Sequence, residues 1–263
     1  MTIAHHWTHG NAADPVLLCL HGIGSCADAF IPQHELAATC GRRVVAWDAP
    51  GYRHSVDPAA DPGLDGWADA VADLIDALGA DRVDLLGVSW GGVTATRVAL
   101  RHPDRVASLV LADSSVGSGT AADRAEAMRG RAGALDELGI EEFSRTRSPV
   151  LFAPTAPDDL IAHTAQLMID SVRMPVYQWA CNSMADTDHR ADLGLITAPT
   201  LVIYGDQDAV TPPSLSRQLA AGIAGADLVE IADAGHLANQ EQPAAFNGAV
   251  AAFLAARSPL GSH

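Results

Sequence analysis

The sequence predicts an α/β protein built on a mostly parallel, doubly wound β-sheet. Short apolar runs rich in β-branched residues recur along the chain, and segments with helical periodicity separate them. Continuous apolar runs indicate strands that are buried on both faces, which is typical of parallel sheets covered by helices. The 263 residues, 48% of them hydrophobic, suffice for one large domain with a substantial core.

Six apolar runs are predicted to form the strands of this sheet. They lie at residues 16–20, 43–47, 83–86, 106–112, 200–204 and 228–231. Apolar residues repeat at helical spacing over residues 64–78 while aspartates occupy the opposite face, which predicts an amphipathic helix packed on the sheet. A further helix is predicted after Ser89, ending near Arg101, and a closing helix is predicted from Pro243 to about Arg257.

The alternation of strands and helices stops after Ala112 and resumes only at Thr200. We therefore divide the chain into a core of residues 1–115 and 198–263 and an inserted helical lid of residues 116–197. The lid is rich in methionines and aromatic residues, namely Met128, Met168, Met174, Met184, Phe143, Phe152, Tyr177 and Trp179. Such adaptable apolar side chains favour a pocket roof, although each of them could instead belong to a small core of the lid itself.

The charge of the chain excludes several classes of function. A formal net charge of −16 disfavours nucleic acid and anionic membranes as partners. All 16 basic residues are arginines, so neither a lysine Schiff base nor a phosphate-binding P-loop lysine is available. We expect a small-molecule substrate, no cofactor and no metal; His5, His6 and His9 are interpreted as part of a solvated tail. The sequence does not decide between a monomer and a homo-oligomer.

The cysteines and the apolar runs bear on localisation. Four cysteines show no paired spacing, and no apolar leader with a basic start opens the chain. The longest apolar runs have the length of a strand and fall far short of a membrane span. The sequence therefore predicts a cytoplasmic protein.

A Gly-x-Ser-x-Gly motif at residues 87–91 is centred on Ser89 and stands between a predicted strand and a predicted helix. In that context the serine lies on a tight strand-to-helix turn that exposes its hydroxyl group, and the flanking glycines relieve the crowding. The N-terminus of the following helix can stabilise negative charge that develops beside the serine. The motif therefore predicts a nucleophilic serine.

A second glycine-containing loop, His21-Gly-Ile-Gly24, follows the first predicted strand. The backbone of such a loop can approach a ligand closely, so the N–H groups of Ile23 and Trp90 are the predicted donors of an oxyanion hole. His21 itself is interpreted as a brace of the loop, with a role as catalytic base as the alternative.

The acid and the histidine follow the last two predicted strands. Asp206 and Asp208 come directly after one strand, and His236 follows the next. Because parallel strands end at the same edge of a sheet, these loops can converge on Ser89. A serine hydroxyl is a poor nucleophile at neutral pH, so His236 would accept its proton and a carboxylate would orient the imidazole.

The order of the His-Gly, Gly-x-Ser-x-Gly, Gly-x-x-Asp and Gly-His motifs resembles the α/β-hydrolase superfamily over nearly the whole chain. This resemblance implies that Asp208, the last position of Gly-x-x-Asp, is the catalytic acid and that Asp206 structures the loop. Asp113 is the reserve candidate, since some members take the acid from that earlier position. One departure is Arg53, where the family commonly has a glycine, which puts the shape of that loop in question.

Segments in the last third of the chain resemble 3-oxoadipate enol-lactonases and related esterases. That resemblance implies hydrolysis of a small ester or lactone through an acyl-serine intermediate. The alternative is a C–C bond hydrolase of vinylogous diketones, a class that typically carries tryptophan directly after the catalytic histidine, where this chain has Leu237. A second alternative is a non-catalytic small-molecule binding protein on the same fold.

The substrate contacts are predicted from the lid. Trp179, with Trp90, is placed in the pocket wall. An anionic substrate would need local positive charge in so acidic a protein, which arginines of the lid could supply. The candidates are Arg145, Arg147, Arg173 and Arg190.

Overall fold

The structure, a computed structural model, describes residues 3–257. Within them seven strands form one sheet: β1 (His6–His9), β2 (Val16–Leu20), β3 (Arg43–Trp47), β4 (Val83–Val88), β5 (Val106–Ala112), β6 (Thr200–Gly205) and β7 (Asp227–Ile231). The strand order is β1-β3-β2-β4-β5-β6-β7. β1 is antiparallel to β3, and the other neighbouring pairs are parallel. The predicted mostly parallel sheet is confirmed.

The antiparallel edge strand β1 corrects the sequence analysis, which interpreted the N-terminal histidines as a solvated tail. His6 pairs with Trp47 of β3, and His9 pairs with Val44. Trp7 and Thr8 are residue types that favour strands, and they could have indicated this strand in the sequence. An edge strand keeps one side open to solvent, so its sequence lacks the apolar run that marks the buried strands.

Helices cover both faces of the sheet. The α-helices within the described residues are α1 (Glu35–Cys40), α2 (Gly63–Ala77), α3 (Trp90–Arg101), α4 (Ala122–Arg147), α5 (Asp158–Ser171), α6 (Val176–Ala185), α7 (Pro213–Gly222), α8 (Ala238–Glu241) and α9 (Pro243–Ala255). No helix in residues 3–257 combines the length and the apolar character that crossing a membrane requires.

Because successive side chains of a strand point to opposite faces, the sheet has a hydrophobic core on each of its two faces. Leu18 and Leu20 of β2 belong to the core shared with α2 and α3, whereas Leu17 and Cys19 belong to the core shared with α1 and α9. All four side chains are fully buried. Successive residues of a strand point to opposite faces, so a strand with no polar alternation requires a helical layer on each side.

Three helices, α4 to α6, connect β5 to β6, in the region that the sequence analysis assigned to a lid. The two ends of this insertion are hydrogen-bonded to each other: Gly119 N–H donates to the Thr187 carbonyl at 2.8 Å, and His189 N–H donates to the Val116 carbonyl at 2.8 Å. α4 is interrupted at Gly139, whose φ of 74° is incompatible with a continuous helix. The two hydrogen bonds between its ends show that the insertion leaves the sheet layer and returns to it at the same place.

Arg53, the departure from the family pattern, adopts the backbone shape that a glycine would favour. Its φ is 39°, in the left-handed region. The guanidinium group forms an ion pair with Asp28 at 2.9 Å, and the backbone N–H donates to the Ser171 carbonyl at 3.2 Å. These contacts hold the loop in its shape without a glycine.

The start of α3 is pressed against the end of β2, and this close approach gives a stability prediction. A Cβ atom on Gly91 would lie 2.0 Å from the Leu20 carbonyl oxygen, whereas Gly248 in α9 has nothing within 4 Å. We expect Gly91→Ala to lower the free energy of unfolding by at least about 2 kcal/mol, because backbone would have to move. Gly248→Ala should raise it by about 0.5–1 kcal/mol through helix propensity. Urea unfolding measures both, and equal midpoints for wild type and Gly91→Ala would contradict the packing.

The buried His189 gives a pH prediction. Burial, assisted by the nearby Arg97 guanidinium, lowers the pKa of His189 to about 4, and the side chain is 2% exposed. Between about pH 6.5 and 4 the unfolded chain binds a proton at this histidine that the folded chain does not, so the free energy of unfolding falls as the pH drops through that window.

We expect the wild type to lose about 2–3 kcal/mol more than His189→Gln between pH 7 and pH 4.5. The measurement is urea unfolding of both proteins at the two pH values. The comparison isolates this histidine because all other titrating groups are common to both chains. Equal losses would show that His189 titrates normally in the folded protein.

Candidate active site

Ser89 occupies a strained turn between β4 and α3. Its φ of 56° and ψ of −120° lie outside the regions that side-chain-bearing residues ordinarily adopt. A Cβ atom on Gly87 would lie 2.2 Å from the Gly91 carbonyl oxygen, and one on Gly91 would lie 2.0 Å from the Leu20 carbonyl oxygen, so neither glycine of the motif can carry a side chain without a shift of backbone. The turn presents the serine hydroxyl to the cavity described below.

Two loops at the same sheet edge bring an imidazole and a carboxylate to this serine. Ser89 Oγ lies 2.9 Å from His236 Nε2, and His236 Nδ1 lies 2.8 Å from Asp208 Oδ2. Asp208 is 3% exposed and His236 is 4% exposed. Because an ionised carboxylate only accepts, Nδ1–H donates to Asp208, which leaves Nε2 to accept from the serine hydroxyl.

Asp208 is held by its own loop as well as by the histidine. Its Oδ1 accepts backbone N–H groups from Val210 and Thr211, both at 2.8 Å. One carboxylate oxygen is thereby fixed by the backbone, and the other is aimed at the imidazole. This is how a loop following β6 can hold an imidazole in one orientation.

The other two candidate carboxylates do not contact His236. Asp113 accepts backbone N–H groups from Gly205 at 2.9 Å and from Ala238 at 3.2 Å. Its full burial, with the charge of Asp208 nearby, raises the pKa of Asp113 well above its ordinary value. Asp206 is exposed and accepts the Ala234 N–H at 3.3 Å. Asp113 and Asp206 therefore shape the loops around the site.

His21 is engaged at both ring nitrogens. Its Nε2 accepts the Ala49 N–H at 3.0 Å, and its Nδ1 lies 2.8 Å from the Gly22 carbonyl oxygen, to which it donates. Burial lowers the pKa of His21, which keeps the ring neutral. This histidine braces the loop between β2 and the first helical turn.

The loop that His21 braces lies against the serine. A Cβ atom on Gly22 would come within 3.2 Å of Ser89 Cβ. The next N–H group, that of Ile23, has no hydrogen-bond acceptor within residues 3–257. Trp90 opens α3, so its N–H has no partner inside the helix. Within the part of the chain that the structure describes, neither N–H group has an acceptor, so two free backbone donors flank Ser89.

A cavity of about 230 Å³ opens in front of Ser89 and His236. Its polar end is formed by Ser89, His236 and the loop around Ile23. Its apolar wall comes from the insertion and includes Met128, Met168, Tyr177 and Met184. Three of the four methionines that the sequence analysis assigned to a pocket roof therefore line the cavity, whereas Met174 does not and is 40% exposed.

The predicted substrate contact of Trp179 is corrected by the structure. Trp90 lines the cavity, but Trp179 does not. Trp179 is partly buried against the core shared with α2 and α3. It lies on α6 about 200° around the helix from Tyr177, which does face the cavity, because successive helical residues are about 100° apart.

The arginines that face the cavity differ from most of those expected. Arg145, Arg173 and Arg190 form ion pairs with Glu142, Asp57 and Asp188, respectively, and do not line the cavity. Of the four predicted arginines, Arg147 alone lines it. Sequence reasoning missed Arg124 and Arg131, which line it from α4. The available signal was their helical spacing around Met128.

One group of side chains within residues 3–257 has the chemistry of metal ligands. One ring nitrogen each of His5 and His54 and a carboxylate oxygen of Asp48 lie within 4.8 Å of one another. Both imidazoles contact Asp48 Oδ2, at 2.9 and 3.2 Å. These contacts fasten the segment before β1 to the loop after β3, and the cavity with Ser89 does not include them.

The parallel sheet and the serine turn at Ser89 are features that can be compared with those of known families. The model of the family described as "Alpha/beta hydrolase family" matches residues 17–249. The chain belongs to the α/β-hydrolase family, and the predicted fold is confirmed.

Three relatives illustrate the range of this similarity. A 2-hydroxy-6-oxononadienedioate/2-hydroxy-6-oxononatrienedioate hydrolase of Cupriavidus pinatubonensis is 33% identical over 262 residues, 95% of this chain and 90% of that protein. The 3-oxoadipate enol-lactonase 2 of Acinetobacter baylyi is 29% identical over 250 residues, 94% of this chain and 91% of that protein. A thermophilic esterase of Thermogutta terrifontis, solved with malate bound, is 26% identical with a TM-score of 0.88, covering 97% of this chain and 94% of that chain.

Proposed function

We propose that this chain is a serine hydrolase that cleaves a small-molecule carboxylic ester or lactone through an acyl-serine intermediate. Ser89 is the nucleophile, His236 is the general base and Asp208 orients the imidazole. The backbone N–H groups of Ile23 and Trp90 form the oxyanion hole. The observation that carries the proposal is the continuous pair of hydrogen bonds from Ser89 Oγ to His236 Nε2 and from His236 Nδ1 to Asp208 Oδ2.

In the acylation step Ser89 Oγ attacks the carbonyl carbon of the substrate while His236 Nε2 takes the hydroxyl proton. The carbonyl oxygen becomes an oxyanion that the N–H groups of Ile23 and Trp90 stabilise. Asp208 stabilises the imidazolium, since its charge lies 2.8 Å from Nδ1. His236 then gives the proton to the leaving alkoxide, and the acyl-serine remains.

In the deacylation step a water molecule takes the place of the alcohol. His236 removes a proton from the water, the resulting hydroxide attacks the acyl carbon, and Ser89 recovers its proton as the acid leaves. For a lactone the alcohol and the acid belong to one molecule, so the product is a hydroxy acid. The same residues serve both substrates.

A second candidate function is hydrolysis of a C–C bond in a vinylogous diketone. It is favoured by the similarity to the Cupriavidus hydrolase, which is 33% identical over nearly the whole chain. Leu237, directly after His236, argues for the ester or lactone, because the C–C hydrolases typically have tryptophan there. A non-catalytic binding protein is the weaker alternative, because binding alone needs no hydrogen-bonded serine, histidine and carboxylate.

The nucleophile is tested by Ser89→Ala on a panel of aryl esters, lactones and vinylogous diketones. We expect wild-type turnover of an ester or lactone, with kcat at least about 1,000-fold lower in Ser89→Ala, because no other hydroxyl group within residues 3–257 is hydrogen-bonded to the His236 imidazole. A fluorophosphonate probe should add to wild type at Ser89, as mass spectrometry would show, and should not add to the variant.

Ser118→Ala is the matched control, because Ser118 lines the same cavity without a hydrogen bond to His236. It should label and turn over substrate like wild type. Turnover of the diketones alone would select the C–C hydrolase. A folded wild type that neither labels nor hydrolyses any compound would select the binding protein.

A further inference from the structure

The arginines of this chain divide into three groups by what they contact. Eleven of the 16 form ion pairs with an aspartate or glutamate. Arg43 and Arg82 donate to backbone carbonyl oxygens instead. The remaining three, Arg124, Arg131 and Arg147, contact no carboxylate within residues 3–257, and all three line the cavity that contains Ser89.

The cavity is also free of acidic side chains. The chain has 32 aspartates and glutamates, and none of those in the described residues lines the cavity. Three unpaired guanidinium groups therefore face a space that no negative side chain shares, in a protein whose formal net charge is −16. The local charge of the cavity has the opposite sign to the charge of the whole molecule.

Two of these arginines repel each other. Arg147 is partly buried; burial, and next the charge of Arg131, lower the pKa of Arg147 to about 10. Like charges held near each other in a partly buried site destabilise the folded chain unless an anion binds between or beside them. A bound anion would relieve this repulsion between the two guanidinium groups.

The positions of the three residues follow from the shape of α4. Arg124, Met128 and Arg131 are spaced at four and three residues, so they lie on one face of the helix. Arg147 ends the same helix beyond the interruption at Gly139, which redirects the second half. Both halves of α4 thus present a guanidinium group to the cavity, beside the apolar wall of methionines.

We propose that Arg124, Arg131 and Arg147 form a carboxylate-binding subsite, and that the substrate carries a carboxylate in addition to the carbonyl group that reacts. The inference rests on the proposed function for the reacting group, and it applies equally to an ester, a lactone or a diketone. Guanidinium groups bind carboxylates through paired, charge-assisted hydrogen bonds, so the subsite would fix the far end of the substrate while Ser89 attacks the near end.

The test compares charged and neutral substrates that differ in little else. One pair is mono-4-nitrophenyl adipate and 4-nitrophenyl hexanoate; a second pair, with the charge on the leaving group, is 4-acetoxybenzoate and its methyl ester. In at least one pair we expect wild-type kcat/KM to favour the charged ester by about tenfold or more. Arg147→Gln and Arg131→Gln should each lower that preference about 10- to 100-fold.

Arg145→Gln is the matched control for Arg147, because Arg145 lies two residues away on α4 and is paired with Glu142 outside the cavity. Arg129→Gln serves the same purpose for Arg131, since Arg129 is paired with Asp186. Both controls should keep the wild-type preference within about twofold. Urea unfolding of each variant identifies a loss of folding, and Arg131→Gln remains informative if Arg147→Gln does not fold.

Binding of adipate to wild type and to Ser89→Ala, measured by calorimetry, separates the two proposals. If esters are hydrolysed with no preference for the charged member of either pair, the carboxylate subsite is overturned and the hydrolase stands. The same conclusion follows if Arg147→Gln lowers kcat/KM equally for the charged and the neutral ester of a pair. If no compound is hydrolysed but adipate binds and Arg147→Gln abolishes the binding, the subsite stands and the proposed hydrolase is wrong.

Discussion

The hydrogen bond between Ser89 Oγ and His236 Nε2 joins residues 147 positions apart in the chain, and the arrangement of the site depends on it. The two residues follow β4 and β7, which are separated in the sheet by β5 and β6. The bond can form only because the loops after these strands are bent toward one another. Asp113, at the end of β5, contributes to this bend by accepting N–H groups from Gly205 at the end of β6 and from Ala238 two residues after His236.

A glycine allows the start of α3 to pack closely against the end of β2 at this edge of the sheet. Gly91 leaves no room for a side chain against β2, so the turn that carries Ser89 sits directly on the loop that carries Ile23. The strain at Ser89 is tolerated because the sheet and α3 fix the backbone on both sides of it. A rigid turn beside a braced loop suits the proposed oxyanion hole, since its donors would have to be in position before charge develops.

The local charge of the cavity differs in sign from the net charge of the molecule. Within residues 3–257, eleven arginines are paired with carboxylates outside the cavity and two donate to backbone carbonyl oxygens, while the three with neither kind of partner lie on one helix of the insertion. A net charge of −16 argues against nucleic acid and anionic surfaces as partners, but it does not describe the field inside a cavity that no acidic side chain of the described residues lines. Charge at a site has to be counted over the residues that line it.

The sequence was informative wherever a structural signal is local. The buried strands were predicted within about two residues, and the serine turn was predicted at its position, because apolar runs and glycine spacing are read over a few residues. His6–His9 was missed because an edge strand needs no apolar run. Trp179 was placed in the cavity, and Arg124 and Arg131 were overlooked, because the rotation of a lid helix about its axis is fixed by tertiary packing. The choice between Asp208 and Asp113 likewise depended on a loop conformation that the motif order does not determine.

The proposed mechanism requires that Asp208 acts as the carboxylate partner of His236 and that the buried Asp113 has only a structural role. The direct measurement is kcat for one hydrolysed ester in Asp208→Asn and Asp113→Asn, each shown to be folded. We expect kcat to fall about 1,000- to 10,000-fold in Asp208→Asn, because the amide favours the wrong imidazole tautomer, and at most about tenfold in Asp113→Asn. A larger loss in Asp113→Asn than in Asp208→Asn would contradict this mechanism.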